Sequence, residues 1–296
     1  METQRIICIG SVLWDVIGRS RAVMRAGSDV PGRITRLPGG VAMNIAMTLR
    51  RFGLTPVLLT AIGHDEEGRE LLDQCAALGM VTGHVYRSDD LPTDVYMAIE
   101  GANGLIAAIA DAHSLEAAGD KILTPLIDGT LGSAQTPFGG AIALDGNLTE
   151  ALLGEIARSP AFARADLRVA PASPGKAERL LPLLKAKNAT LYVNLEEAGL
   201  LLRRSFDTAE NAARAMISRG AARVLVTDGG KPAAIAQGET VLASTPPQVL
   251  VTRVTGAGDT FMAAHIAAEL RGESGEIALQ TALEAAATYV SGDVPS

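Results

Sequence analysis

Val254-Thr255-Gly256-Ala257-Gly258-Asp259-Thr260-Phe261-Met262 places two glycines and an aspartate at the expected start of a helix. Behind it, Phe261, Ala264, His265, Ala268 and Leu270 lie in a nearly unbroken apolar and small-residue stretch that reads as the helix itself. Free backbone N–H groups and the positive end of the helix dipole meet at such a start, so the turn can hold an anion. Gly256 and Gly258 permit backbone conformations and a close approach that a β-carbon hinders. Asp259 then stands beside the anion with a carboxylate suited to take a proton from a hydroxyl attacking phosphorus. The same residues also suit a tight turn with an aspartate N-cap, so the reading needs a second signal.

Gly39-Gly40-Val41-Ala42-Met43-Asn44-Ile45-Ala46 supplies one. It follows Pro38 and opens a segment with helical apolar spacing to Phe52 and Gly53. A glycine pair lets the chain turn tightly into a helix, and Asn44 offers a donor and an acceptor to a ligand hydroxyl. A glycine hinge with a helix-capping asparagine is the plainer alternative.

With both motifs in order, the chain resembles the PfkB, or ribokinase-like, family of carbohydrate and nucleoside kinases over nearly all 296 residues. Gly63-His64-Asp65-Glu66-Glu67-Gly68, followed by Leu71, Leu72, Leu78 and Gly79, also looks like that family. The resemblance implies an α/β fold, a ribokinase-like three-layer sandwich with a mostly parallel central sheet and a small β lid. It implies that Asp259 is the catalytic base and that the backbone of Gly256, Ala257 and Gly258 forms the anion hole. Asp15, Gly39, Gly40 and Asn44 match the acceptor-binding elements. Asn194 and Glu197, in Asn194-Leu195-Glu196-Glu197, match the Asn-x-x-Glu element that places hydrated Mg²⁺ and the nucleotide phosphates; without the family, Glu196 and Glu197 read as ordinary first-turn helix acids. Thr227, Gly229, Thr255 and Gly258 fall on the ATP side. Activation by a monovalent cation stays open, as does a homodimer formed through the lid.

Three departures qualify the match. Thr227-Asp228-Gly229-Gly230-Lys231-Pro232 keeps the first glycine of the family's Thr-x-Gly-x-x-Gly and has proline at the last position. Val169-Ala170-Pro171 lacks the carboxylate of the common Asp-Pro pair, and Asp145 on the preceding strand is not assumed to replace it. Arg253-Val254-Thr255 stands where an acid usually precedes the signature.

Within the family, Asp29-Val30-Pro31-Gly32-Arg33-Ile34, Ala108-Ile109-Ala110-Asp111 and Val254 to Asp259 are similar to bacterial pseudouridine kinases. That similarity implies transfer to the ribose 5′-hydroxyl of pseudouridine, with Asp111 at the end of a lid strand reaching a ribose hydroxyl or base N–H. As a plain loop aspartate before a helix near Ser114, Asp111 reads equally well. A free-sugar kinase for ribose, fructose or a keto-deoxy sugar acid is the alternative within the class. A non-catalytic nucleotide- or sugar-binding regulator is the alternative outside it.

Apolar periodicity predicts core strands at Arg5–Gly10, Val57–Ile62, Ala141–Leu144, Leu167–Ala170, Thr190–Val193 and Arg223–Thr227. Helices are predicted around Ala42–Phe52, Glu66–Leu78, Glu150–Ala157, Lys176–Lys185 and Ala209–Arg219. Such alternation favours a parallel sheet covered on both faces, with ligands beyond the strands' C-terminal ends. Segments of about 12–37 and 85–110 interrupt it. Tyr86, Thr93–Ile99 and Leu105–Ile109 carry strand-forming residues around a Gly101-Ala102-Asn103-Gly104 turn and read as lid strands. Residues 117–140 read as a helix to about Ile127 and then a connection, and the end from Ser291 is expected to fray. One kinase domain over 1–296 is the expected organisation.

Composition narrows the classes. A net charge of −7 and a pI near 5.2 argue against a nucleic acid polymer as partner. With 48% hydrophobic and 20% charged residues the chain is ordinary for a globular protein. No apolar stretch reaches spanning length and the start is polar, so neither a membrane nor secretion is expected and cytoplasmic residence is. Cys8 and Cys75 are isolated and read as buried reduced thiols, and the four histidines have no zinc-site spacing. The chain contains neither a Walker-type phosphate loop nor, after the first strand, a Gly-x-Gly-x-x-Gly; P-loop kinases and dehydrogenases are therefore disfavoured.

Overall fold

The computed structural model of the chain describes residues 4–25, 27 and 29–292; the fraying expected at the C-terminus falls, from residue 293, outside the described residues. In chain order the strands are β1 (Arg5–Ile9), β2 (Leu13–Arg19), β3 (Arg33–Gly39), β4 (Thr55–Leu59), β5 (Ala61–Gly63), β6 (Tyr86–Ser88), β7 (Val95–Gly101) and β8 (Gly104–Asp111). They continue with β9 (Ala141–Asp145), β10 (Asp166–Ala170), β11 (Ala189–Asn194), β12 (Arg223–Asp228), β13 (Lys231–Gln237) and β14 (Thr240–Ser244). The helices are α1 (Val41–Arg51), α2 (Glu66–Ala77), α3 (His113–Ala118), α4 (Glu150–Arg158), α5 (Leu195–Leu202), α6 (Ala209–Ser218), α7 (Ala257–Leu270) and α8 (Gly275–Ser291).

An eight-stranded sheet runs in the order β14-β13-β12-β11-β10-β9-β1-β4. The strands from β12 to β4 are parallel, and β13 and β14 close one edge antiparallel. Its strands alternate between two cores. Ile7, Ile9, Leu167, Val169, Leu191, Val193, Val224 and Val226 pack on the face covered by α4, α5 and α6. Ile6, Cys8, Ala143, Tyr192 and Leu225 pack on the face covered by α1, α2, α7 and α8. The period of two therefore divides each strand between two buried layers, as a doubly covered sheet requires. Cys8 and Cys75 are buried and free, and burial pushes both thiols up to about 12.

Several boundaries differ from expectation. The strand expected from Val57 to Ile62 is two short ones: β4 in the main sheet and β5, which pairs with β6. Tyr86 thus belongs to that two-stranded ribbon and lies outside the lid. The lid is the sheet β3-β2-β7-β8, with Gly101 and Gly104 facing across the expected turn. Lys176–Lys185 is no α-helix: Pro174–Leu183 is a run of 3₁₀ turns containing Pro182, which removes a backbone donor and clashes with the preceding turn. The helix expected to reach Ile127 is α3 followed by 3₁₀ turns over Gly119–Leu126, with Pro125 inside. Among the described residues no helix is long and apolar enough to cross a membrane.

A buried polar cluster fastens α7 to the sheet. Arg168 on β10 and Arg223 on β12 both pair with Glu269, and the Tyr192 hydroxyl bonds His265 Nδ1 at 2.8 Å. Burial works against the charge on Glu269, but the Arg223 hydrogen bond, the neighbouring His265, and the charge and hydrogen bond of Arg168 hold its carboxyl down at about 2. The folded value lies below the ordinary one, so this contribution to stability is present above the unfolded value, near pH 4.5, and is lost as pH falls towards 2. Arg168→Met leaves a buried carboxylate with half its counter-charge, and a loss of roughly 3 kcal/mol at pH 7 is expected in urea denaturation. At pH 3 the difference between the two proteins should narrow.

Candidate active site

The two glycine motifs, far apart in sequence, meet at one point. Asn44 Nδ2 donates to Asp259 Oδ2 at 3.0 Å, joining the first turns of α1 and α7. Neither residue caps its helix: the N-caps are Gly40 and Gly256. Asn44 and Asp259 instead point from their first turns into the space between the two helices, which removes the capping alternatives for both motifs.

Each glycine has its own reason. Gly40 and Gly256 sit at φ 93° and 87°, in the left-handed region that favours glycine. Gly39 allows the Asp15 carboxyl to lie against the backbone, where a β-carbon would stand 2.0 Å from Oδ2. Gly258 has an ordinary helical backbone, and an added β-carbon would meet nothing within 4 Å. Its value is therefore open approach to the helix start, without any special conformation. Thr260 makes the first i→i−4 bond of α7, to Gly256 O, so the Gly258 and Asp259 amides precede it in the first turn. The Ala257 amide already donates to Val254 O at 3.1 Å, leaving the turn's anion-binding capacity chiefly with its neighbours. Thr255 O accepts from the Tyr289 hydroxyl, which braces the turn from α8.

Electrostatics single out three carboxyls. Burial raises Asp259 to about 7; the Asn44 hydrogen bond opposes this, and Asp145, Asp15 and Glu197 add to it. Burial also raises Asp15, on β2, to about 6 and Glu197 to about 7. Carboxyls raised chiefly by burial, with Asp259 further raised by the charges of Asp145, Asp15 and Glu197, are consistent with a general base beside an anion site.

Asn194 and Glu197 form a reciprocal capping box at the start of α5, with Glu197 Oε2 accepting from Asn194 N at 2.8 Å and Asn194 Oδ1 from Glu197 N at 2.9 Å. Glu196 and Glu197 are thus first-turn acids of α5, as their plain reading has it, and Asn194 is its N-cap. Thr227 and Gly229 lie at the β12–β13 hairpin, where Gly229 has φ 57° and Lys231 pairs with Asp228 at 3.2 Å. Asp111 ends β8, is largely exposed, and pairs with His113 at 2.8 Å. It makes no direct contact with the Asn44–Asp259 pair. Asp145, left aside on the sequence, is fully buried in hydrogen bonds to Ser11 and Asn147. Its signal was an aspartate and an asparagine two residues apart at a strand's C-terminal end, where ligands gather in such sheets.

The pattern of pfkB family carbohydrate kinases matches residues 3–293. The chain belongs to the pfkB family. Pseudouridine kinase of Escherichia coli K12 is 28% identical to it over 272 residues, covering 88% of this chain and 82% of that protein. Pseudouridine kinase of Arabidopsis thaliana is 25% identical over 184 residues, covering 60% of this chain and 46% of that protein. The chain spans about half the length of the first curated relatives it matches. Among solved structures, Arabidopsis thaliana ribokinase complexed with ribose and ATP superposes with a TM-score of 0.78 at 21% identity, covering 98% of this chain and 93% of that one. The pfkB chain is therefore ribokinase-like in fold.

Proposed function

We propose that this pfkB-family chain transfers the γ-phosphoryl group of ATP to a hydroxyl of a small sugar or nucleoside, with the ribose 5′-hydroxyl of pseudouridine as acceptor. The hydrogen bond between Asn44 and Asp259 at the start of α7 carries this reading. It sets a hydroxyl-binding amide beside a carboxylate with a near-neutral pKa, next to free helix-start amides. Asp259 takes the acceptor's proton, the oxygen bonds to the γ-phosphorus, and the bond to the β,γ-bridging oxygen breaks as ADP leaves. The Gly258 and Asp259 amides hold the transferring group. Asp15 and Asn44 orient the acceptor, and the lid excludes water that would otherwise compete with it.

Among the described residues no three His, Cys, Asp or Glu side chains form a metal cage. Mg²⁺ ordinarily keeps several waters and takes phosphate oxygens together with one or two carboxylates. Glu197 Oε1, which lies outside the capping box, and the second lone pair of Asn194 Oδ1 would offer the protein oxygens, directly or through water, and the ion would neutralise phosphate charge during transfer.

Support for pseudouridine comes from the relatives so named, at 25–28% identity. A panel of pseudouridine, uridine, cytidine, adenosine, ribose, fructose and a keto-deoxy sugar acid, followed by ADP release, tests the acceptor. The highest kcat/KM is expected with pseudouridine; a free sugar taking that place would move the reading to a sugar kinase. Nucleotide binding without turnover on any acceptor would favour a binding regulator. A homodimer through the lid belongs to the same reading, because Ile34, Met97, Ile99 and Ile109 share one exposed face by strand register. A monomer in sedimentation velocity at micromolar concentration would contradict it.

A further inference from the structure

One set of polar groups has no assigned contact with substrate or phosphate: Ser11, Asp145, Asn147 and Lys176, of which Asp145 enters the site above only through its charge on Asp259. Asp145 Oδ2 accepts from Ser11 N at 2.8 Å and from Ser11 Oγ at 2.5 Å, and Oδ1 accepts from Asn147 N at 2.7 Å. Asn147 Nδ2 donates to Ser11 Oγ at 3.0 Å and to Asp145 Oδ2 at 3.2 Å, while Asn147 Oδ1 accepts from Lys176 Nζ at 2.6 Å. Ser11 Oγ accepts in turn from Val41 N at 2.9 Å, the first residue of α1.

The donors in this chain have a single consistent direction. An ammonium only donates, so the Asn147 oxygen must face Lys176 and its amide nitrogen must face Ser11. The Ser11 hydroxyl proton then goes to the Asp145 carboxylate, which leaves the oxygen's lone pairs for Asn147 Nδ2 and Val41 N. A hydrogen-bonded chain anchored on the buried Ser11 and Asp145, whose donors and acceptors fit only one arrangement, resists rearrangement. Two glycines give it room: a β-carbon on Gly10 would stand 2.2 Å from Asp145 Cβ, and one on Gly40 2.5 Å from Ser11 O. The chain starts at a half-buried lysine on the Pro174–Leu183 segment and ends at the first turn of α1, where Asn44 projects to Asp259.

We propose that Lys176, acting through Asn147 and Ser11, is a positioning residue that fixes the start of α1 and so holds Asn44 in register with Asp259 and the acceptor hydroxyl. The inference rests on the kinase reading for its effect on turnover, though its structural half stands without it. Lys176 is set apart from a general structural lysine by where its influence ends, on the acceptor side of the cleft and away from the turn assigned to ATP.

The test combines kinetics with hydrogen exchange on Lys176→Met, Asn147→Ala, the double variant and Lys176→Arg, each checked for an unchanged fold by thermal melting. Each single variant should raise the acceptor KM about tenfold and speed exchange of the Val41 N–H about tenfold, the scale of one charge-assisted hydrogen bond, while the ATP KM stays within about twofold. The double variant should be no worse than either single one, because both break the same chain. Arginine can still donate to Asn147 Oδ1 and should restore most of the loss. Unchanged Val41 exchange in Lys176→Met would overturn the inference. So would additive losses, or an ATP KM that rises with the acceptor KM, since either would mean that Lys176 touches a substrate directly. Absence of acceptor-dependent turnover in the wild type would count against the kinase reading, and the exchange data would then decide the positioning chain by themselves.

Discussion

Asp259→Asn is expected to lower acceptor-dependent kcat by about 10³-fold, within the range that a positioned general base contributes. Asparagine keeps the size of the side chain and still offers an oxygen to Asn44 Nδ2, so the link between α1 and α7 survives. The substitution also removes a negative charge beside the phosphate turn. ATP should therefore bind as tightly as before or somewhat better, which separates loss of chemistry from loss of the site. The pH profile adds a second check. With Asp259 raised to about 7 by burial, wild-type kcat/KM should fall as pH drops below that value, because the protonated acid cannot accept the hydroxyl proton. In the residual activity of the asparagine variant the share of that limb due to Asp259 should be gone, leaving a shallower fall from Asp15 and Glu197. Near-wild-type turnover in Asp259→Asn would remove it as the base.

Asn44→Ala should be the next most damaging change, for two reasons that act together. It deletes the amide proposed to meet the acceptor, and a lost hydrogen bond to a charged or polar partner in such a site costs about 2 kcal/mol, or roughly 30-fold in kcat/KM. It also deletes the bond that favours the ionised form of Asp259. The remaining influences, burial and the charges of Asp145, Asp15 and Glu197, all push that carboxyl upward. The acidic limb of kcat/KM should then move to higher pH than in the wild type, so the variant is most impaired at pH 6 and recovers part of its activity at pH 9. The assay is acceptor kinetics at several pH values with ATP saturating. A limb left in place would show that Asn44 does not tune Asp259, and an unchanged acceptor KM and kcat would take Asn44 out of the site.

How far the sequence carried this picture depended on what kind of signal each element has. Strands β1, β9, β10, β11 and β12 alternate strongly apolar residues in short runs, and all lie where periodicity placed them, within a residue or two. β13 and β14 were not anticipated. Lys231-Pro232-Ala233-Ala234-Ile235-Ala236-Gln237 is rich in alanine, a poor strand former, and takes its conformation from pairing with β12 and packing against α6. Lys176–Lys185 carries a helical pattern, but the structure has 3₁₀ turns over Pro174–Leu183, because Pro182 breaks the α-helical ladder. At the site, Asn44 and Asp259 were legible because each sits on a glycine turn opening a helix. Ser11 and Asn147 were not, since a serine and an asparagine after strands are common and their meaning arises only when β1 and β9 pair side by side. Gly258 was legible as a motif position, but the physical reason differs: open approach, with no demand on φ.

The most direct test of phosphoryl transfer at this site is a product measurement: wild-type and Asp259→Asn proteins incubated with ATP, Mg²⁺ and pseudouridine, with the products resolved by ³¹P NMR and mass spectrometry. The account predicts equal amounts of ADP and a pseudouridine monophosphate esterified at the 5′ position, formed by the wild type and absent on the same timescale from Asp259→Asn. ADP released without a phosphorylated acceptor, or the same ester formed at equal rate by both proteins, would contradict it.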